Sequence, residues 1–190
     1  MKSQSHLIEF VLVIGIALAG LSSALMWAKP LWNKSFSKTK YLKFVDSAKE
    51  IYKALINIDK IKEKTFNIEY DKLYANETFM EISIKGNFFK GIMGYWFPLV
   101  EGIYGVNPIN GKLETNQTQY LVLPYIKITP NEVKVRYYFP YAKKSDKLCY
   151  KLLPQETIKT NGNSITIRVM DVQYKNEPCP VTIVYTLYIA

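Results

Sequence analysis

Nineteen residues without a charge run from Phe10 to Ala28, FVLVIGIALAGLSSALMWA. As a helix rising 1.5 Å per residue they would span about 28 Å, close to the hydrocarbon core of a bilayer. The pattern predicts a transmembrane helix over 10–28, preceded by a short leader over 1–9. Trp27, Lys29, Trp32 and Lys34 stand at its far end. These residue types anchor at a membrane interface, where the rings sit among headgroups and the amines snorkel toward water. Residues 39 to 62 hold no Pro or Gly, and Tyr41, Phe44, Val45, Ala48, Ile51, Tyr52, Leu55 and Ile58 recur at spacings of three and four. That is one face of an amphipathic helix, placed here within a juxtamembrane segment over 29–64. Its apolar stripe is expected to pack on the following domain, with a helical bundle between subunits as the alternative. Pro30 removes one backbone donor and is expected to kink or interrupt the rod.

After residue 65 the period changes from about 3.6 to 2. Met80-Ile82-Ile84, Val133-Val135-Tyr137-Phe139, Ile165-Ile167-Val169 and Val181-Ile183-Tyr185-Leu187-Ile189 alternate with more polar positions, as half-buried strands do. Asn110-Gly111 and Asn161-Gly162 carry the chemistry of tight hairpin turns, since both residue types tolerate positive φ. The expected fold is α+β: the N-terminal helices, then an antiparallel β-sandwich or β-sheet domain over 65–190. A curved sheet cradling the helix is the alternative within that class. The segment 91–104, GIMGYWFPLVEGIY, is apolar, aromatic and punctuated by glycine, yet too short to span a bilayer. It reads as a loop covering the core, or as an exposed contact loop centred on Tyr95, Trp96 and Phe97.

Charge changes the picture in one region. The chain carries 25 Lys+Arg against 16 Asp+Glu, a net charge of +9, and most of the excess lies between Lys29 and Lys64. Beside an apolar span, anionic headgroups are the nearest counter-charge, so a lipid bilayer is the expected partner and nucleic acid is not. A cleaved secretory signal ending near Leu21-Ser22-Ser23-Ala24 competes with the retained anchor. The length of the apolar run and the acidic Glu9 favour retention. A carboxyl at the edge of a span costs on the order of 2 to 3 kcal/mol unless compensated. Glu9 therefore either snorkels to the headgroups or pairs with a cation, such as a neighbouring subunit's N-terminal amine.

Lys2-Ser3-Gln4-Ser5-His6-Leu7-Ile8-Glu9-Phe10, followed by an apolar helix, resembles the N-terminus of archaeal type IV pilin-like proteins, including relatives in the archaellum machinery. The resemblance covers about the first 30 residues. It implies a basic leader containing Lys2, a cut near Ser3 or Gln4, and assembly or packing through Glu9 and Phe10 at the start of the helix. It also implies self-association or association with other pilin-like subunits.

Cys149 and Cys179 are the only cysteines, and a disulfide between them would close a loop of about 30 residues; two buried thiols are the alternative. Three acceptor sequons begin at Asn33, Asn76 and Asn116. The cysteine pair and the sequons favour an extracytoplasmic β domain on a membrane-anchored chain, whereas the lysines after the span favour the opposite orientation. His6 is the only histidine and lies in the leader, so no His-based catalytic arrangement can form in the β domain. No metal, cofactor or small-molecule substrate is implied, and the chain is read as a non-enzyme. The reading is a structural or assembly component of the cell surface, a membrane-anchored pilin-like subunit. The alternative is a monomeric anchored binding module whose aromatic loop contacts a surface-layer protein or glycan.

Overall fold

The computed structural model describes residues 2–88, 94–103, 108 and 117–190, with side chains described at all of these except 2–11, 27, 30–34 and 117. Helix α1 runs from Lys2 to Ile56. The chain divides into two compact units, Met1–Thr39 and Lys40–Ala190. The first holds the apolar part of α1. The second holds its amphipathic end together with every described strand.

In the second unit a short 3-10 turn, Ile58–Lys60, leads from α1 into the strands. These are β1 (Glu63–Ala75), β2 (Phe79–Lys85), β3 (Trp96–Pro98), β4 (Gln117–Thr118), β5 (Leu123–Ile128), β6 (Glu132–Tyr138), β7 (Tyr141–Lys143), β8 (Leu148–Pro154), β9 (Thr157–Lys175) and β10 (Val181–Ile189). Among the described residues they form one ten-stranded sheet in the order β3-β5-β6-β2-β1-β9-β10-β8-β7-β4. Most neighbours are antiparallel, but β10 lies parallel to β8 and β4 parallel to β7.

The alternation read from the sequence decides what each strand buries. Met80, Ile82 and Ile84 of β2 pair with Tyr137, Val135 and Val133 of β6, and all six are buried. They join Ile126, Ile165, Ile167, Leu187 and Ile189 in one core with Phe44, Ala48, Ile51, Leu55 and Ile58. The helix stripe spaced three and four thus packs on one face of the sheet. The buried Tyr137 Oη donates to the Ala48 carbonyl oxygen at 2.8 Å, and Ser47 Oγ donates to the Asn67 carbonyl oxygen at 3.1 Å. Lys40 and Glu69 add an ion pair at 2.7 Å.

Several expectations need correction. Among the described residues no helix is long and apolar enough to cross a membrane. The transmembrane helix over 10–28 and the membrane-anchored localisation built on it are therefore not supported. The β domain is a single mixed sheet packed on a helix, not an antiparallel sandwich. Helix α1 is unbroken at Pro30, because a proline removes one hydrogen bond and the neighbouring turns keep theirs. Asn161-Gly162 is no hairpin turn but lies inside β9, where Asn161 takes φ 54° beside a register shift between Asn67 and Tyr70 of β1. Positive φ serves a bulge as well as a turn. Asn110-Gly111 lies outside the described residues.

Candidate functional site

The described part of the first unit is an apolar rod. Leu12, Val13, Ile14, Ile16, Leu18, Leu21, Leu25 and Met26 are all between 42% and 77% exposed. At 100° per residue, positions 12, 13, 14 and 16 already point around most of the circumference, so the rod has no polar face in this stretch. Helices that are apolar all round are ordinarily buried. Ser22 and Ser23 turn their hydroxyls back to the carbonyls of Leu18 and Ala19, which hides two polar groups from the surface. Glu9 and Phe10 lie in α1, as do Trp27, Trp32, Asn33 and Lys34, but their side chains are outside the described ones. Lys29 is exposed.

In the second unit the aromatic segment 95–97 lies at a sheet edge. Trp96–Pro98 forms β3, paired with β5 through Trp96 and Lys127, Phe97 and Ile126, and Pro98 and Tyr125. Tyr95 is 71% exposed and Phe97 is exposed, whereas Trp96 is half-buried. Trp96 is held because it lies against Arg136. The guanidinium carbon stands 4.4 Å from the Phe79 ring centre, 4.7 Å from that of Trp96 and 5.7 Å from that of Tyr138. Cation–π attraction strengthens where both partners are shielded from water. Glu81, opposite Arg136 in the β2–β6 register, accepts from its Nε at 2.8 Å. Lys134 bridges Glu132 at 3.1 Å and stands 3.9 Å from Glu81. Burial alone would favour loss of the Arg136 proton, but the Glu81 carboxylate and the Tyr138 hydroxyl outweigh it and hold the pKa above its ordinary value.

This cluster sits on the sheet face opposite α1, beside a smaller apolar core of Ile103, Leu123, Tyr125 and Tyr138. Tyr125 is fully buried and its hydroxyl has no hydrogen-bond partner among the described residues. Burial, with Tyr138 and Tyr120 nearby, pushes its phenol up to about 12. The sequence reading missed Arg136 and Glu81. Their positions alternate correctly for an outward face, but nothing local marks partners 55 residues apart as a pair.

Cys149 and Cys179 are bonded. Cys149 lies in β8 opposite Thr182 of β10, so the bond ties together the beginnings of two parallel strands that share no short connection. Both cysteines are buried. Replacing both with serine removes a closed loop of 30 residues and is expected to cost around 3 to 4 kcal/mol. Urea denaturation of the double variant, with wild type in the presence and absence of reductant, checks the value; the reduced wild type should match the variant.

Of the three sequons, Asn116 lies outside the described residues and Asn33 has no described side chain. Asn76 organises the β1–β2 turn. Its Oδ1 accepts from the Thr78 amide at 2.9 Å, the Thr78 hydroxyl at 2.8 Å and the Phe79 amide at 3.0 Å, while its Nδ2 donates to Tyr74 Oη at 3.1 Å. Asn76→Ala is expected to destabilise the domain by about 1 to 2 kcal/mol by stranding those donors, read as a lowered urea midpoint at constant slope. Asn76→Asp should avoid most of that loss, because it keeps the acceptor.

A cleft of about 450 Å³ opens where the sheet extends past the end of α1. Ile56 and Asp59 line it from the helix end and the 3-10 turn, Gln119 and Leu121 from the segment before β5, Lys143 and Lys144 from the end of β7, Tyr150 from β8 and Tyr185 from β10. Burial pushes the Tyr185 phenol up, and Tyr150, Asp59 and Tyr174 add to the shift. Among the described residues no group of three or more His, Cys, Asp or Glu side chains stands together as a metal site.

No protein family, curated protein or solved structure matches the chain.

Proposed function

We propose that the chain is a structural assembly subunit of pilin-like design, which self-associates by burying the apolar rod of α1 against the rods of other copies. The observation that carries this reading is the run of eight large apolar side chains exposed around residues 12–26; among the described residues no helix is long and apolar enough to cross a membrane. Apolar surface of that extent is unfavourable in water, since each fully buried Leu or Ile side chain contributes about 1.5 to 3 kcal/mol relative to exposure. Other helices of the same kind supply matching apolar sides. The likeness of Lys2 to Phe10 to the pilin-like N-terminus supports the same design. In it, Glu9 and Phe10 lie in the assembling part of the helix, and Glu9→Gln weakens assembly.

Sedimentation velocity of the full chain in detergent-free buffer tests the reading. Wild type should sediment as oligomers or longer assemblies. Leu18→Glu combined with Leu21→Glu should shift it toward monomer, with the apparent Kd raised more than about a hundredfold, because two buried side chains are lost and two charges must be desolvated. The sheet's circular dichroism should be unchanged. A monomeric wild type, or a charged variant that assembles as well as wild type, counts against the proposal.

A further inference from the structure

The cleft beyond the end of α1 serves neither the sheet's core nor the apolar rod, and its chemistry is mixed. Two tyrosine rings, Tyr150 and Tyr185, present half-buried faces. Asp59 and Gln119 are exposed, and neither side chain makes a hydrogen bond to another described residue. The hydroxyls of Tyr150 and Tyr185 make none either. Lys143 is engaged by Asp146 at 2.8 Å, whereas the Lys144 ammonium has no carboxylate partner among the described residues and stands 5.6 Å from the Tyr150 ring centre. The volume of about 450 Å³ lies within the range of small-molecule sites.

These groups discriminate between ligand classes. A purely apolar ligand would desolvate Asp59, Gln119 and Lys144 without replacing their water hydrogen bonds, at a cost of about 1 to 3 kcal/mol each. An anion would satisfy Lys144 but meet the Asp59 carboxylate. A cation would do the reverse. A polyhydroxylated ring avoids both conflicts, because every hydroxyl both donates and accepts: it can donate to Asp59, accept from Lys144 and exchange both with Gln119. Its C–H face meanwhile covers an aromatic face. We infer that this cleft is a saccharide-binding site, in which Tyr150 and Tyr185 stack against a pyranose ring while Asp59, Gln119 and Lys144 engage its hydroxyls. The five side chains come from five separate elements of the chain, so the site exists only in the folded sheet. It does not depend on the apolar rod, and binding should survive when assembly is lost.

The test is titration of the full chain with maltose, cellobiose and chitobiose, followed by saturation-transfer NMR and isothermal calorimetry. At least one disaccharide should bind. Asp59→Ala and Tyr150→Ala should each weaken it at least about tenfold. Tyr185 also packs against the core, so Asp59→Ala and Gln119→Ala, both at exposed positions, serve as variants that leave the fold intact. Leu18→Glu with Leu21→Glu should bind as wild type does, which separates this site from the assembly reading. The inference fails if none of the three sugars binds, if binding is indifferent to Asp59→Ala and Gln119→Ala, or if the variants weaken binding of inorganic phosphate and of no sugar.

Discussion

Gly162→Ala is expected to destabilise the sheet domain by about 3 kcal/mol, since among the described glycines its added methyl would meet the closest contact. Gly162 sits opposite Tyr70 in the β1–β9 pairing, and a Cβ built on it would fall 2.3 Å from Tyr70 Cζ and Oη and 2.6 Å from Cε1. Those atoms belong to a ring that is itself buried against the core. The ring cannot swing aside without leaving its packing. In a domain of this size the loss should lower the melting temperature by roughly 6 to 12 °C. The control is a double-variant cycle. In a Tyr70→Ala background, which removes the ring at its own cost, Gly162→Ala should cost less than about 1 kcal/mol. Equal costs in the two backgrounds would mean that the contact does not set the requirement for glycine.

Arg136→Ala is expected to cost about 3 kcal/mol, read as a lowered urea midpoint. The substitution leaves the Glu81 carboxylate, only 14% exposed, without its main partner. Lys134, 3.9 Å away, compensates in part and holds the loss at the low end for a broken buried pair. The change also removes the cation from between Phe79, Trp96 and Tyr138, so the edge strand β3 should loosen first. Hydrogen exchange at Trp96 and Phe97 should accelerate more than at Ile82 or Val135. Replacing both members, Glu81→Met with Arg136→Leu, should lie within about 1 kcal/mol of wild type, because no buried charge is left alone. A double variant as unstable as the single one would show that the ion pair itself, rather than the stranded carboxylate, carries the energy.

The two predictions mark where the sequence was readable and where it was not. The helix stripe from Tyr41 to Ile58 and the alternating strands around Ile82, Val135, Ile167 and Leu187 were legible because their period is local and matches the face each buries. The use of Asn161-Gly162 was not, since the same positive-φ preference serves a hairpin or a bulge and only the opposing Tyr70 decides between them. Nor was the parallel pairing of β8 with β10, which alternation cannot distinguish from an antiparallel one. The cysteines were a stronger signal there, because their bond joins those two strands at their start. Arg136 with Glu81, and the cleft assembled from Asp59, Gln119, Lys144, Tyr150 and Tyr185, depend on contacts across long stretches of chain. The apolar run from Phe10 to Ala28 was the most conspicuous feature and the most misleading. An all-round apolar helix announces that something covers it, but its composition does not say whether lipid or other helices do.

Cysteine cross-linking of the full chain addresses that question directly. With Leu18→Cys introduced into the exposed rod, mild oxidation without detergent should yield disulfide-linked dimers on a denaturing gel, while Glu156→Cys, between β8 and β9, should yield no cross-linked species under the same conditions. A Leu18→Cys chain that stays monomeric and instead partitions into phospholipid vesicles would contradict the account.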